Sequence, residues 1–135
     1  MQRRTYLKTM LAGAGSLVGA GSCSLQAATS AHPIELHVNL SVDPSKETEM
    51  LHIFKTQFRP AARKHPGYID VKMLKLRSAL QGNAPQGMNY RFVLTYESEE
   101  QRKAWVASAI HKKLWPLIEN TLTTKDYTVL LFDIA

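Results

Sequence analysis

Three side chains that could take part in chemistry stand close together in the C-terminal third of the sequence: Trp105, His111 and Trp115. His111 and Trp115 are four positions apart, so on a helix they lie on one face. An imidazole titrates near neutral pH, and indole rings can form the walls of an apolar pocket. The same pattern also fits a hydrophobic core in which His111 is hydrogen-bonded at the edge. The histidine therefore either has a buried partner or faces a cavity.

The sequence predicts the helix that positions these side chains. The alternating segment Tyr90–Tyr96 is rich in aromatic and β-branched residues and predicts a strand. The Ser98 hydroxyl can cap a helix after that strand, and Gln101 can reach back to it. We expect the helix to continue past His111 and to kink at Pro116.

A strand and a helix are predicted before this unit. Apolar and polar residues alternate in Ile34–Leu40, which predicts a first strand with His37 and Asn39 on its polar face. The cap formed by Asp43-Pro44 should begin a helix. Pro60 should kink that helix or end its regular part.

Two more strands are predicted at 68–77 and 126–134, and both carry apolar residues on their two faces. In the former, the apolar phase shifts at Leu74, which indicates a bulge or a strand buried on both sides. The polar loop 78–89 is long for a small domain. Loops of this length are usually either disordered or lids over a site.

The order of these elements is βαββαβ, which predicts an α+β ferredoxin-like fold: a four-stranded antiparallel sheet with two helices on one face. Two helices cover only one face of such a sheet, yet two of its strands are apolar on both faces. A second copy of the chain would cover the other face, as in a dimeric α/β barrel. The sequence therefore predicts a homodimer but does not choose between the Val129/Leu131 and Leu130/Phe132 faces.

Residues 1–31 have the features of an export signal, which leaves a domain at 32–135. The segment Gln2–Lys8 contains an arginine pair followed by an aromatic residue, an aliphatic residue and a lysine, and it resembles the twin-arginine export motif. The apolar stretch 9–21 is too short to span a bilayer. We expect a periplasmic or secreted protein, or one anchored through a lipid on Cys23.

The charge of the chain is modest and spread along it. Arg3, Arg4 and Lys8 supply half of the formal net charge of +6. The other basic residues form no stripe, so no nucleic-acid surface is predicted. The lone cysteine lies in the export segment, and a mature domain without it has neither a disulfide nor thiol chemistry.

The segment Tyr96-Glu97-Ser98, followed by Trp105, His111 and Trp115, resembles the strand-to-helix region of the antibiotic biosynthesis monooxygenase family, whose fold is a dimeric α/β barrel. The likeness extends over residues 34–134. It includes the first strand and the helix-to-strand connection at 65–68.

This resemblance implies a pocket between sheet and helices that holds a small aromatic or quinone-like molecule. It implies oxidation of a phenol or quinol by O2 with no cofactor, in which the protein excludes water and helps to remove a proton. The implied catalytic residues are His111 and Asn39. The implied substrate-binding residues are Trp105, Trp115, His37 and Tyr96. Asn39 and His37 contribute only if their face of the first strand lies under the helices.

Two other functions remain open. One is a non-catalytic barrel that binds a small hydrophobic ligand. The other is a haem-binding or haem-degrading protein, because a branch with the same fold has an asparagine and a tryptophan where Asn39 and Trp105 stand. His111 lies about one helical turn too early for the haem ligand of that branch. The histidines 37, 52 and 111 lack metal-ligand spacing, so no metal is predicted.

Overall fold

A computed structural model describes residues 32–135, and the predicted export segment lies outside this range. Four strands and four helices follow one another in this part of the chain. No helix among them is long and apolar enough to cross a membrane. The elements are β1 (Ile34–Leu40), α1 (Glu47–Ile53), α2 (Arg59–Arg63), β2 (Tyr68–Lys75), β3 (Tyr90–Tyr96), α3 (Glu99–Ala107), α4 (Ala109–Glu119) and β4 (Thr128–Asp133).

The four strands form one antiparallel sheet in the order β2-β3-β1-β4. At its centre, Val38 of β1 pairs with Phe92 of β3 and with Val129 of β4. Val38 and Phe92 are buried beneath the helices together with Leu40 and Leu94. The predicted βαββαβ order, with helices over one face, is confirmed.

The strand register settles which face of β4 points away from the helices. Paired residues project to the same side of a sheet, and Leu130 pairs with His37 on the face opposite Val38. Leu130 and Phe132 are 41% and 46% exposed there, and Leu74 of β2 is 45% exposed on the same face. The open face of the sheet is therefore the Leu130/Phe132 face.

The first helical region begins where the sequence predicts but continues past Pro60. The Asp43 carboxylate accepts a hydrogen bond from the Ser45 backbone N at 2.9 Å. A wider turn of π type at Phe54–Phe58 separates α1 from α2, and α2 contains Pro60. Proline has no N–H to donate, so a change in the hydrogen-bond pattern just before it accommodates the ring.

The second helical region is broken at Ser108, whereas the sequence predicts a kink at Pro116. Ser108 has an extended backbone, with φ −69° and ψ 152°. Its hydroxyl donates to the Trp105 carbonyl at 2.6 Å and accepts from the His111 backbone N at 3.3 Å. Ser108 therefore ends α3 and caps α4, while Pro116 lies inside α4.

The β2–β3 connection also differs from prediction. The register shift in β2 falls between Tyr68 and Asp70, not at Leu74. The loop 78–89 is tied to the end of β1, because the Asn89 amide exchanges two 2.8 Å hydrogen bonds with the Val42 backbone. None of the loop residues lines the cavity described below.

Candidate functional site

Phe58 is the centre of an aromatic cluster beneath the helices. Its ring centroid lies 5.6 Å from that of Trp105, 5.9 Å from that of His111 and 5.7 Å from that of Trp115. Phe58 comes from the π-type turn before α2, and the other three come from α3 and α4. The first helical region therefore holds the three sequence-predicted residues together.

His111 lies between the two indole rings. It meets Trp105 edge-on across the break at Ser108, with centroids 5.2 Å apart and planes at 84°. It lies nearly parallel to Trp115, at 12° and 6.1 Å. The prediction that His111 and Trp115 share a helical face is confirmed.

A cavity of about 250 Å³ lies between these rings and the sheet. Pockets for drug-sized ligands range from about 300 to 1,000 Å³, so this one suits a smaller molecule of one or two rings. The cavity is lined by Leu36, Val38, Phe92, Leu94, Arg102, Trp105, Val106, His111, Trp115, Tyr127 and Val129.

The imidazole of His111 is uncharged at neutral pH. Burial is the main cause and lowers its pKa to about 4, with the nearby Arg102 charge acting in the same direction and the Glu119 charge opposing it. Its ring nitrogens make no hydrogen bond within residues 32–135, where its backbone N donates to Ser108 Oγ. The hydrogen-bonded core histidine considered from the sequence is not what the structure contains.

The two indole N–H groups differ in their partners. Trp115 Nε1 donates to the Tyr127 hydroxyl at 2.9 Å. Trp105 is fully buried, and its Nε1 has no hydrogen-bond partner in the described part of the chain. Buried N–H groups nearly always have partners. This donor, which belongs to a cavity-lining residue, is an exception to that rule within residues 32–135.

A hydrogen-bonded chain runs from Trp115 to the end of α4. The Tyr127 hydroxyl accepts from Trp115 and donates to Glu119 Oε2 at 2.7 Å. Burial and the Glu119 carboxylate raise the pKa of Tyr127. This chain fixes the orientation of the Trp115 ring, and with it one wall of the cavity.

Three sequence-predicted site residues do not line this cavity. His37 and Asn39 lie on the open sheet face, where His37 Nε2 bonds to Glu35 at 2.8 Å and Asn39 accepts from Arg91 Nε at 2.9 Å. The condition for their role, that this face lies under the helices, is not met. Tyr96 is a core residue whose hydroxyl donates to the Ala62 carbonyl at 3.3 Å.

Sequence reasoning missed three polar residues of the site. Tyr127 shares its strand face with Val129, so the alternation of β4 could have indicated it. Arg102 precedes Trp105 by three positions on one helix and therefore shares its side. Glu119 carries no comparable pattern. Within residues 32–135, no group of three or more His, Cys, Asp and Glu side chains could hold a metal ion.

No family model and no curated protein matches this chain, but solved structures do. A candidate antibiotic biosynthesis monooxygenase from Caulobacter crescentus is 17% identical, with 78% of this chain and 92% of that chain covered and a TM-score of 0.62. SnoaB, a cofactor-independent oxygenase from Streptomyces nogalater, is 13% identical, with coverage of 76% and 92% and a TM-score of 0.60. A dimeric ferredoxin-like protein of unknown function from Jannaschia sp. CCS1 is 14% identical, with coverage of 76% and 98% and a TM-score of 0.61.

This chain shares their ferredoxin-like fold. The ferredoxin-like fold predicted from the sequence is thus confirmed. One fold hosts many reactions, so the reaction has to be argued from the site.

Proposed function

We propose that the protein is an exported, cofactor-independent oxygenase that oxidises a small phenol or quinol in the cavity between Trp105, His111 and Trp115. The observation that carries this proposal is the buried, unpartnered Nε1 of Trp105. A substrate oxygen would satisfy this donor, while aromatic walls enclose the ring. The shared fold with an oxygenase that needs no cofactor supports the proposal.

The uncharged His111 supplies the proton acceptor. A phenol in the cavity gives its proton to the imidazole, and Trp105 Nε1 donates a hydrogen bond to the resulting phenolate. The low pKa of His111 in the empty cavity opposes this transfer. A phenolate beside the ring raises that pKa, because an adjacent opposite charge favours the imidazolium. Formation of the phenolate therefore makes His111 a stronger base, which favours the transfer of the phenol proton.

The oxidation then uses only the substrate and O2. The phenolate passes one electron to O2, and the two radicals combine to form a peroxide on a ring carbon. The peroxide takes the proton back from the His111 imidazolium and then loses water together with the hydrogen of that carbon, which leaves a carbonyl. One phenol and one O2 thus give one quinone and one water. The protein contributes orientation and the exclusion of water by the apolar walls.

The same proposal includes a homodimer that packs through the open sheet face. Leu74, Leu130 and Phe132 leave apolar surface exposed on that face, and a solved structure with the same fold is dimeric. Burial of such a patch against a second copy would remove it from water. Export rests on the arginine pair in Gln2–Lys8.

Oxygen uptake by the purified chain with a panel of hydroquinones, naphthols and naphthohydroquinones tests the function. We expect uptake above the spontaneous rate with at least one compound, and a loss of about a hundredfold in His111→Gln. A chain that catalyses no uptake with any of them is not this oxygenase.

A second candidate is a binding protein without turnover, favoured by the weak basicity of His111 in the empty cavity. In that case a quinol or phenol raises the melting temperature while oxygen uptake stays at the spontaneous rate. The same panel of compounds separates the two functions.

A further inference from the structure

Most residues that line the cavity are apolar. In the described part of the chain, Arg102 is the only lining residue with a full positive charge. Its side chain is 17% exposed. Its Nε and Nη2 donate to the two carboxylate oxygens of Glu99 at 2.6 and 2.7 Å. Glu99 does not line the cavity. The carboxylate therefore holds the guanidinium from outside the cavity, while Arg102 itself is one of the residues that border the cavity.

The pairing with Glu99 leaves Arg102 able to bind a second anion. A guanidinium has five N–H donors in a planar fork, and the two bonds to Glu99 leave the rest available within the described residues. Planar donors of this kind match the two oxygens of a carboxylate. Because Glu99 already fixes the orientation of Arg102, the Arg102 side chain loses little further conformational entropy when a ligand binds to it.

The charge of Arg102 also acts on a second residue that lines the cavity, His111. The Arg102 charge lowers the pKa of His111, and the Glu99 charge is not among the causes of that shift. Of the Arg102–Glu99 pair, only the positive charge is thus among the causes of the His111 pKa shift, and the Glu119 carboxylate acts on His111 in the opposite direction. The Tyr127 hydroxyl, which belongs to another lining residue, is bonded to the Glu119 carboxylate. The lining thus includes one cationic residue and one acid-bound hydroxyl among mostly apolar side chains.

We propose that the cavity selects aromatic anions, such as a hydroxylated ring with a carboxylate that binds Arg102. The inference rests on the proposed function only in taking this cavity as the ligand site, and it does not depend on turnover. It predicts that a ring with an anionic substituent binds more tightly than the same ring with a neutral substituent. The ring with a cationic substituent should have the lowest affinity of the three.

Isothermal titration calorimetry of the full chain with 4-hydroxybenzoate, 4-hydroxybenzamide and 4-hydroxybenzylamine tests this order. We expect the benzoate to bind about tenfold more tightly than the benzamide, since a charge-assisted pair at a partly exposed arginine is worth about that much. Arg102→Gln should make the two affinities equal. Arg102→Lys should keep part of the preference, and Glu99→Gln should increase it by removing the competing carboxylate.

Equal binding of benzoate and benzamide by the wild-type chain would overturn the inference and leave the proposed oxygenase intact. A preference that survives in Arg102→Gln would also overturn it. Circular dichroism shows whether that variant folds. If it does not, Arg102→Lys and Glu99→Gln test the inference instead, because the preference for benzoate should fall in the former and rise in the latter. If the wild-type chain prefers benzoate to benzamide but takes up no oxygen with any quinol, only the proposed oxygenase function is refuted. Binding of none of the three rings would also overturn the inference, while oxygen uptake with the quinol panel decides the oxygenase separately.

Discussion

Trp105 and His111 meet edge-on across a break between two helices, with ring centroids 5.2 Å apart. Neither the contact nor the cavity beside it would exist if α3 and α4 were one straight helix. The break depends on Ser108, whose hydroxyl bonds to the backbone on both sides. The break at Ser108 therefore contributes to the relative position of the residues on which the proposed chemistry rests.

Replacement of Ser108 tests this dependence. Ser108→Ala should lower the free energy of unfolding by about 1 kcal/mol, as for a lost helix cap. It should also weaken phenol binding, because Trp105 and His111 no longer keep their relative position. Ser108→Thr keeps the hydroxyl and should retain most of both properties. Chemical denaturation and calorimetry measure the two effects, and an alanine variant with wild-type stability would show that the cap is dispensable.

The Tyr127 hydroxyl should matter for stability more than an ordinary tyrosine hydroxyl. Tyr127→Phe strands both Trp115 Nε1 and the Glu119 carboxylate, and we expect a loss of about 1–2 kcal/mol in the free energy of unfolding. Tyr68→Phe makes the same chemical change at a half-buried tyrosine with no such bonds and should cost less than half as much. Similar losses in the two variants would argue against the hydrogen-bonded chain.

Burial of His111 predicts a specific acid sensitivity. Its pKa is about 4 when folded and about 6.5 when unfolded, so between these values the unfolded chain binds a proton that the folded chain does not. The free energy of unfolding should therefore fall as pH falls through this window, by about 2–3 kcal/mol in total, and should gain nothing above pH 6.5.

Two variants isolate this contribution. His111→Gln should flatten the pH dependence between about 4.5 and 6.5, whereas His52→Gln, at an exposed position, should leave it unchanged. Below that window, carboxylates with lowered pKa values, such as Glu47 and Glu99, cause a further loss in all variants. Urea titrations across the pH range measure the slope, and the same slope in wild type and His111→Gln would contradict a buried neutral histidine.

The proposed dimer depends on the open sheet face. Leu130→Asp would bury an unpaired carboxylate between two sheets, which costs several kcal/mol, so we expect a monomer in sedimentation at micromolar concentration. Leu80→Asp introduces the same charge at a loop leucine that is 97% exposed and should leave the dimer intact. If the Leu130→Asp chain stays dimeric, the contact lies elsewhere.

Much of the fold could be predicted because period-two patterns identify strands directly. β1 and β3 begin and end where the alternation does. The breaks in the helical regions were harder to predict. Pro60 and Pro116 are strong local signals, yet both lie inside helices. A π-type turn just before Pro60 accommodates its ring. Ser108 is a weak signal by itself, and tertiary contacts decide that it caps a helix.

The candidate site was predictable only where helix periodicity sufficed. His111 and Trp115 follow from four-residue spacing, and Trp105 from its place on the preceding helix. The error over His37 and Asn39 has a different origin. Alternation shows that their face of β1 is polar but not which face the helices cover, and here the polar side is the open one. The alternation of β4 could have indicated Tyr127, but its bonds to Trp115 and Glu119 depend on how this end of β4 packs against α4, which no local pattern encodes.

The unpartnered indole N–H of Trp105 offers the most direct test of a phenol or quinol site in this cavity. The chain has two tryptophans, so a ¹⁵N-labelled sample gives two indole resonances, which a Trp105→Phe variant assigns. Anaerobic addition of hydroquinone should shift the Trp105 indole resonance downfield as it gains an acceptor. The Trp115 resonance, already bonded to Tyr127, should move much less. A Trp105 resonance that stays in place at saturating hydroquinone would contradict the account.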